Sequence, residues 1–128
     1  MAKTPSVDDG FGPHMGLEMV KRGEARSLTA LTVGPQHLNP HGVVHGAVLY
    51  ALADQGMGAA VYSLLGDAES CATIEVKIVY LSPVRSGRIE CESTVLNKGR
   101  RVAVLESEVR VAGKLVAKAL GTFAIFPA

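Results

Sequence analysis

The chain has no tryptophan, only 5% aromatic residues, two cysteines and a formal net charge of +1 over 128 residues. Each shortage excludes something. With Lys and Arg balanced against Asp and Glu, no excess of cation exists to neutralise a nucleic-acid backbone, so nucleic acid is not expected as a partner. Cys71 and Cys91 stand twenty residues apart, outside any CxxC or zinc-ribbon spacing. They read as reduced core thiols of a cytoplasmic protein, Cys91 sharing an inward strand face with Ile89 and Val95. Positions 1–13 lack the apolar run of a secretory signal. The one stretch apolar enough to suggest a membrane span, 46–66, carries Asp54 and Gln55 at its centre. The acid alone costs about 2.5–3.5 kcal/mol in lipid, and no Lys or Arg flanks the stretch closely. A helix buried in protein is the better reading, with no membrane partner.

What is present describes one globular domain: 48% hydrophobic and 20% charged residues, in a chain long enough to bury roughly 65–70% of its unfolded surface. Positions 1–13 hold Pro5, Gly10, Gly12, Pro13 and the pair Asp8 and Asp9 without periodicity. They predict a flexible N-terminal tail, followed by a single domain over 14–128. Segments 15–22 and 24–33 read as two strands about Gly23. Gly34-Pro35, Asn39-Pro40 and Gly42 exclude a helix before His45.

A helix is then expected over 46–65, with Leu49, Leu52, Ala53, Ala60 and Leu64 at helical spacing. Gly56 and Gly58 each cost it about 1 kcal/mol in propensity, so something must approach it closely. Four strand segments follow, over 71–84, 88–96, 101–112 and 114–126, separated by turn residues at 86–87, 97–99 and 113–114. In the first of them Ile74, Val76, Ile78 and Tyr80 alternate with Thr73, Glu75 and Lys77. The pattern is α+β: an antiparallel sheet of about six strands wrapped around one long central helix. A helix apolar nearly all round needs more cover than one sheet gives, which predicts a second subunit.

From Gly46 to Gly66 the only charged residue is Asp54. Such a carboxylate is kept for chemistry, or it is structural, capping a neighbouring strand or pairing with Lys or Arg. Gly46 falls in the first turn of the helix, where backbone N–H groups lack partners and the macrodipole is positive, a place suited to a developing oxyanion. Eight residues of helix put Asp54 about 12 Å from it along the axis. One chain does not readily bring both to one carbonyl, whereas two antiparallel copies of the helix do. Asn39, a short loop before the helix, both donates and accepts hydrogen bonds and is placed to hold a substrate carbonyl or an attacking water. His37, His41 and His45 recur every fourth residue, but Pro40 and Gly42 prevent one helix from presenting them, so no metal site is expected.

The pattern Asn39-x-x-Gly42-x-x-His45-Gly46-x7-Asp54, with the strand Thr73-Ile74-Glu75-Val76-Lys77-Ile78-Val79-Tyr80-Leu81-Ser82-Pro83, resembles the hotdog-fold acyl-CoA thioesterases of the PaaI-like (phenylacetic-acid-pathway) branch. The resemblance covers roughly 15–126. It implies a hotdog fold, an acyl-CoA substrate cleaved by water to a carboxylic acid and free CoA, and no metal or redox cofactor. It also implies a homodimer or a dimer-of-dimers tetramer. By position, the Gly46 amide would polarise the thioester carbonyl, Asn39 would help hold the reacting centre, and Asp54 of the partner would act as base or nucleophile. Thr73 would orient the water, and His45 would shape the turn beside the substrate. Ala47 stands where the family often has a second glycine, which implies a changed pocket lining. The N-terminal segment also lacks the longer apolar helix many relatives show.

Simpler readings stand beside these. Thr73 is also an ordinary β-former. Residues 97–101 make a solvated hairpin turn, whose Arg100 and Arg101 are also suited to the phosphates of CoA. A different function on the same fold is a non-catalytic acyl-CoA-binding module, a sensor or carrier. Asp54 favours the enzyme, since a pocket for an apolar chain gains nothing from a carboxylate. A hydratase would want an Asp/His pair, and no second His or acid follows Asp54 at short helical spacing.

Overall fold

A computed structural model describes residues 3–4 and 10–128 of the chain. A five-residue helix α1 (Phe11–Met15) leads into strands β1 (Glu18–Gly23) and β2 (Arg26–Thr32). After a 3₁₀ turn (Pro35–His37) comes the long helix α2 (Gly46–Tyr62). Strands β3 (Glu69–Tyr80), β4 (Arg88–Lys98), β5 (Val102–Val111) and β6 (Lys114–Pro127) complete the chain. All pair antiparallel in one sheet of order β1-β2-β4-β5-β6-β3. The sheet curls around α2, which is the hotdog arrangement implied by the resemblance.

The concave face is lined by small residues where the helix lies: Ser27, Thr29, Ser93, Ala103, Ser107, Ala117 and Ala119 are all buried. Two sheet hydroxyls donate directly to helix carbonyl oxygens, Ser27 Oγ to Gly56 at 2.6 Å and Thr29 Oγ1 to Leu52 at 3.1 Å. A buried hydroxyl without a partner is costly, so these bonds fix the roll of α2 on the sheet. Leu49, Leu52, Ala53, Gly56, Met57 and Ala60 therefore face inward. Ala47, Ala51, Asp54, Gln55, Gly58 and Tyr62 form a stripe that the chain leaves half-buried or exposed.

Three expectations change. Helix α1 takes in positions 11–13 of the expected tail, while positions 1–2 and 5–9 lie outside the described residues. Helix α2 stops at Tyr62, short of the expected 65, because Leu64 and Leu65 tighten into i→i−3 bonds to Val61 and Tyr62. Leu64 is consequently 39% exposed rather than part of the apolar face.

The third change concerns β3. Its register against β6 slips between Thr73 and Glu75, a β-bulge that leaves Ile74 without a paired position and 57% exposed. Thr73 pairs with Phe123 and Val76 with Gly121, both inward positions of β6. Thr73 thus joins Val76, Ile78 and Tyr80 on the helix side instead of Glu75 and Lys77 on the outer side. An extra residue in one strand reverses the pleat beyond it, and plain alternation could not anticipate it.

The two helix glycines separate as well. A Cβ at Gly56 would meet Ser93 Oγ at 2.6 Å and Ser27 Oγ at 3.1 Å, so the expected close approach is real there. At Gly58 the nearest atom is a Phe123 ring carbon at 3.7 Å, an ordinary contact. Gly56→Ala should therefore destabilise the fold by about 1–3 kcal/mol through overpacking. Gly58→Ala should be neutral or stabilising by up to about 1 kcal/mol. Urea denaturation of the two variants checks this, and equal effects would contradict it.

Candidate active site

A six-stranded sheet curled round one helix leaves a gap between its free edges, β1 and β3. The exposed stripe of α2 is the floor of that gap. Here a cavity of about 390 Å³ is lined by Asp54, Gln55, Gly58 and Tyr62 from α2, Arg22 from β1, and Ser70, Cys71 and Thr73 from β3. Asp54 is half-buried and has a partner after all, for the Thr73 hydroxyl donates to its Oδ1 at 2.6 Å. That bond depends on the bulge, since only the reversed pleat turns Thr73 toward the helix. It leaves the hydroxyl's lone pairs and the second carboxylate oxygen open to a water or a substrate.

Gly46 lies at the other end of the helix and of β3. His45 is the N-cap, and its Nδ1 accepts from Ala47 N at 3.1 Å, while Val48 N bonds His45 O at 2.9 Å. Among the described residues the Gly46 amide has no hydrogen-bond partner. Tyr80, which the sequence did not single out as a site residue, holds the next peptide: its hydroxyl donates to Gly46 O at 2.7 Å. The ring packs so closely that a Cβ at Gly46 would sit 2.9 Å from Cζ. Burial, and then the nearby Tyr50, raise the Tyr80 pKa, so the phenol keeps the proton it donates. Gly46, Leu49, Tyr80 and Ser82 line a separate cavity of about 350 Å³. Asp54 and Gly46 therefore belong to different cavities of one chain, as the 12 Å separation led us to expect.

Asn39 is half-buried in the loop before the helix. Its Oδ1 accepts from His41 N at 2.9 Å and Val43 N at 3.2 Å, and its backbone bonds Val43 O and Gly42 N. The side-chain oxygen thus organises the loop, and only the Nδ2 amide is left to donate elsewhere. His45 and Ala47 line neither of the two cavities above and open on a third. Arg100 and Arg101 are exposed in the β4–β5 turn. Arg101 O accepts from Ile125 N, and Ile125 pairs with Cys71. The turn therefore lies at the Asp54 end of the sheet, about 10 Å from β3 at the usual strand spacing.

Arg22 is a further residue that sequence reasoning missed. It pairs with Ser27 in register and so faces the helix, but a bulge between Met19 and Lys21 breaks the alternation that would have revealed it. The thiols also differ from expectation in one respect. Cys91 is in the core, whereas Cys71 is only half-buried and forms part of the Asp54 cavity wall. Burial raises the pKa of both thiols. Among the described residues no group of three or more His, Cys, Asp or Glu is arranged to hold a metal, and no helix is long and apolar enough to cross a membrane.

An unpartnered amide at a helix N-terminus and a carboxylate steadied by a hydroxyl are the parts needed to polarise a carbonyl and to activate a nucleophile. Comparisons with known proteins give the family and the fold. Residues 41–118 match the family model described as the thioesterase superfamily. The fold is similar to a conserved protein of Pseudomonas aeruginosa, with a TM-score of 0.89 and 38% identity over 93% of this chain and 95% of that one. A thioesterase of Haemophilus influenzae gives a TM-score of 0.86 and 27% identity over 91% and 82%. A mutant of the phenylacetic acid degradation protein PaaI of Thermus thermophilus gives 0.84 and 31% over 91% and 98%.

If Tyr80 anchors the first turn of α2, Tyr80→Phe should speed amide hydrogen exchange at residues 46–48 several-fold. Thr73→Val should leave exchange there unchanged. Mass-spectrometric exchange reads both, and equal protection in the wild type and Tyr80→Phe would remove the anchor.

Proposed function

Because the chain belongs to the thioesterase superfamily, we propose that it hydrolyses an acyl-CoA thioester to a carboxylic acid and free CoA, at a site shared between two subunits. One observation carries this reading: the two halves of the site are tethered to opposite ends of a single free edge strand. Asp54 is bonded to Thr73 near the start of β3, and Gly46 to Tyr80 at its end. Seven β6 positions, Ala117 to Phe123, lie opposite that span, which is about 20 Å long. If two β3 strands pair antiparallel about their middle, the Thr73 end of each lies beside the Tyr80 end of the other. The Asp54 carboxylate of one subunit then faces the Gly46 amide of its partner.

Several features support such pairing. Strand β3 is twelve residues long and lies at the sheet edge, with Ile74, Val79 and Tyr80 exposed. A long apolar edge left open is an aggregation hazard that proteins normally cover. The uncovered stripe of α2 beside it would be covered by the same two-fold. A tetramer built from two such dimers fits the same reading.

In the reaction, the Gly46 amide donates to the thioester oxygen as negative charge develops there, aided by the helix dipole. Asn39 Nδ2, the donor its loop leaves unused, steadies the same centre. Asp54 takes one proton of the attacking water, whose other O–H donates to the Thr73 oxygen. As the tetrahedral centre collapses, the C–S bond breaks and Asp54 returns that proton to the departing CoA sulfur. This arrangement favours a general base over direct attack, because the Thr73 hydroxyl holds Asp54 and leaves its own lone pairs for the water. Arg100 and Arg101, exposed in the β4–β5 turn, supply cations for the CoA phosphates in this reading. Hydrolysis by this route needs neither a metal nor a redox cofactor.

A panel of acyl-CoAs with a free-thiol readout tests the activity. Release of CoA from at least one supports it, while tight binding without turnover of any would instead make the protein a sensor or carrier. Asp54→Asn should lower kcat about 10²- to 10⁴-fold with an unchanged melting temperature. Wild-type turnover by that variant would refute the assignment.

A further inference from the structure

Among the residues lining the Asp54 cavity, Arg22 alone carries a full positive charge, and hydrolysis as described above gives it no task. It is half-buried near the end of β1. Its partner in register is Ser27, whose hydroxyl bonds Gly56 O, so Arg22 faces the helix from the wall opposite Thr73. It also borders a second cavity, of about 590 Å³, on the side of the β1–β2 hairpin, where Glu24 and Glu92 stand. We propose that Arg22 is a specificity residue of the hydrolase reading, on which this rests: it binds a carboxylate at the far end of the acyl group, so that the substrates are CoA monothioesters of short dicarboxylic acids.

Want of a partner is the first argument. Among the described residues, Arg88, Arg110 and Lys118 are each paired with glutamates, whereas Arg22 makes no ion pair, with Glu24, Glu92 or Asp54. Asp54, the only acid in the wall of its cavity, is held by Thr73 instead. A guanidinium partly withdrawn from water gains most from a planar anion that accepts two of its N–H groups at once, as a carboxylate does. An acyl chain ending in a methyl group strips water from the same guanidinium and gives it no acceptor in return. The cavity therefore favours one class of acyl group and disfavours the other.

The field around the cavity is the second argument. Lys3 Nζ lies 4.6 Å from the centre of the Tyr62 ring and donates to Gly66 O at 3.0 Å and to Glu69 O. These acceptors are neutral, so the positive charge of Lys3 is retained beside the cavity. Burial raises the pKa of the Cys71 thiol in the cavity wall, and Lys3 opposes that rise. Two cations thus stand beside the cavity against the single carboxylate of Asp54, a balance that attracts a further anion.

Reach is the third. Arg22 and the Asp54–Thr73 pair flank α2, an element about 10–12 Å across with its side chains. With the thioester carbon at Asp54, a few methylenes carry a terminal carboxylate to the guanidinium. Gly58, one turn beyond Asp54, keeps the floor between them bare. Packing does not require a glycine there, since a Cβ would meet only a Phe123 ring carbon at an ordinary 3.7 Å. Its missing side chain instead leaves space in the cavity that it lines.

Thioether analogues that cannot be hydrolysed separate this assignment from the chemistry. Calorimetry on the full chain compares ligands of equal carbon number: S-carboxypropyl-CoA with S-butyl-CoA, and S-carboxybutyl-CoA with S-pentyl-CoA. The carboxylate of each pair should bind about tenfold or more tighter. Arg22→Gln should lower that ratio about tenfold, with a melting temperature to establish that the variant is folded. Should it melt early, Arg22→Met, which keeps an apolar stem, serves in its place. A wild-type ratio near one overturns the assignment. So does a ratio unchanged in the folded variant because both ligands weaken alike, which would put Arg22 on the CoA moiety. Release of CoA is read separately, from glutaryl-CoA and pentanoyl-CoA, after subtraction of the uncatalysed rate. A high ratio that depends on Arg22, without turnover of any thioester, overturns hydrolysis and still supports the carboxylate site. Turnover with a ratio near one does the reverse.

Discussion

Six antiparallel strands cannot close around a helix, and this geometric shortfall governs the rest of the molecule. The sheet ends in two free edges, β1 and β3, with one stripe of α2 uncovered between them. The Asp54 half of the proposed site lies along that opening. Asp54 rises from its floor, Thr73 from one wall and Arg22 from the other. The same edge strand reaches back along the helix, so that Tyr80 holds Gly46 at the far end. Covering the β3 edge and assembling the site thus become one event in the proposed dimer.

The opening is useful only if the helix presents the correct side to it, and small residues secure that. Leucine or valine at Ser27, Ser93 or Ala103 would push α2 away from the sheet. The hydroxyls of Ser27 and Thr29 instead bond the carbonyls of Gly56 and Leu52, and Gly121 leaves room for Met57, whose sulfur would lie 2.5 Å from a Cβ placed there. Close packing and buried hydrogen bonds together fix the roll, which the weak amphipathicity of α2 alone would not. Asp54 is therefore aimed by contacts on the opposite side of the helix from itself.

Much of this was legible in the residues. Period-two alternation and the turn residues located the strands, and the apolar run after Gly42 located the helix, to within a few residues at each end. The unexplained acid at Asp54 and the helix start at Gly46 marked two halves too far apart for one carbonyl. What could not be read depends on register. The bulge after Thr73 turns that residue to the face opposite its apparent one, because pleat direction is set by pairing with β6 and not by local sequence. Arg22 was hidden by a similar irregularity in β1. Tyr80 looked like one more inward aromatic until its hydroxyl was found on Gly46. Asn39 was legible as a loop residue, but only the structure shows that its oxygen is already engaged.

The shared site is tested most directly by subunit complementation. Gly46→Pro removes the amide donor, and the backbone accepts it, since proline suits the first helical position and His45 already has the extended ψ of 134° that a following proline favours. Its ring displaces Tyr80, whose Cζ would lie 2.9 Å from the added Cβ, so a melting temperature first establishes that the variant is folded. Asp54→Asn removes the carboxylate. Co-expressed with different tags and purified as mixed dimers, the two variants leave one site carrying an intact Gly46 from one chain and an intact Asp54 from the other. The account predicts that each variant alone is nearly inactive, while the mixed dimer recovers about half the wild-type rate per dimer. Mixed dimers as inactive as either parent would place both halves of the site in the same chain and contradict it.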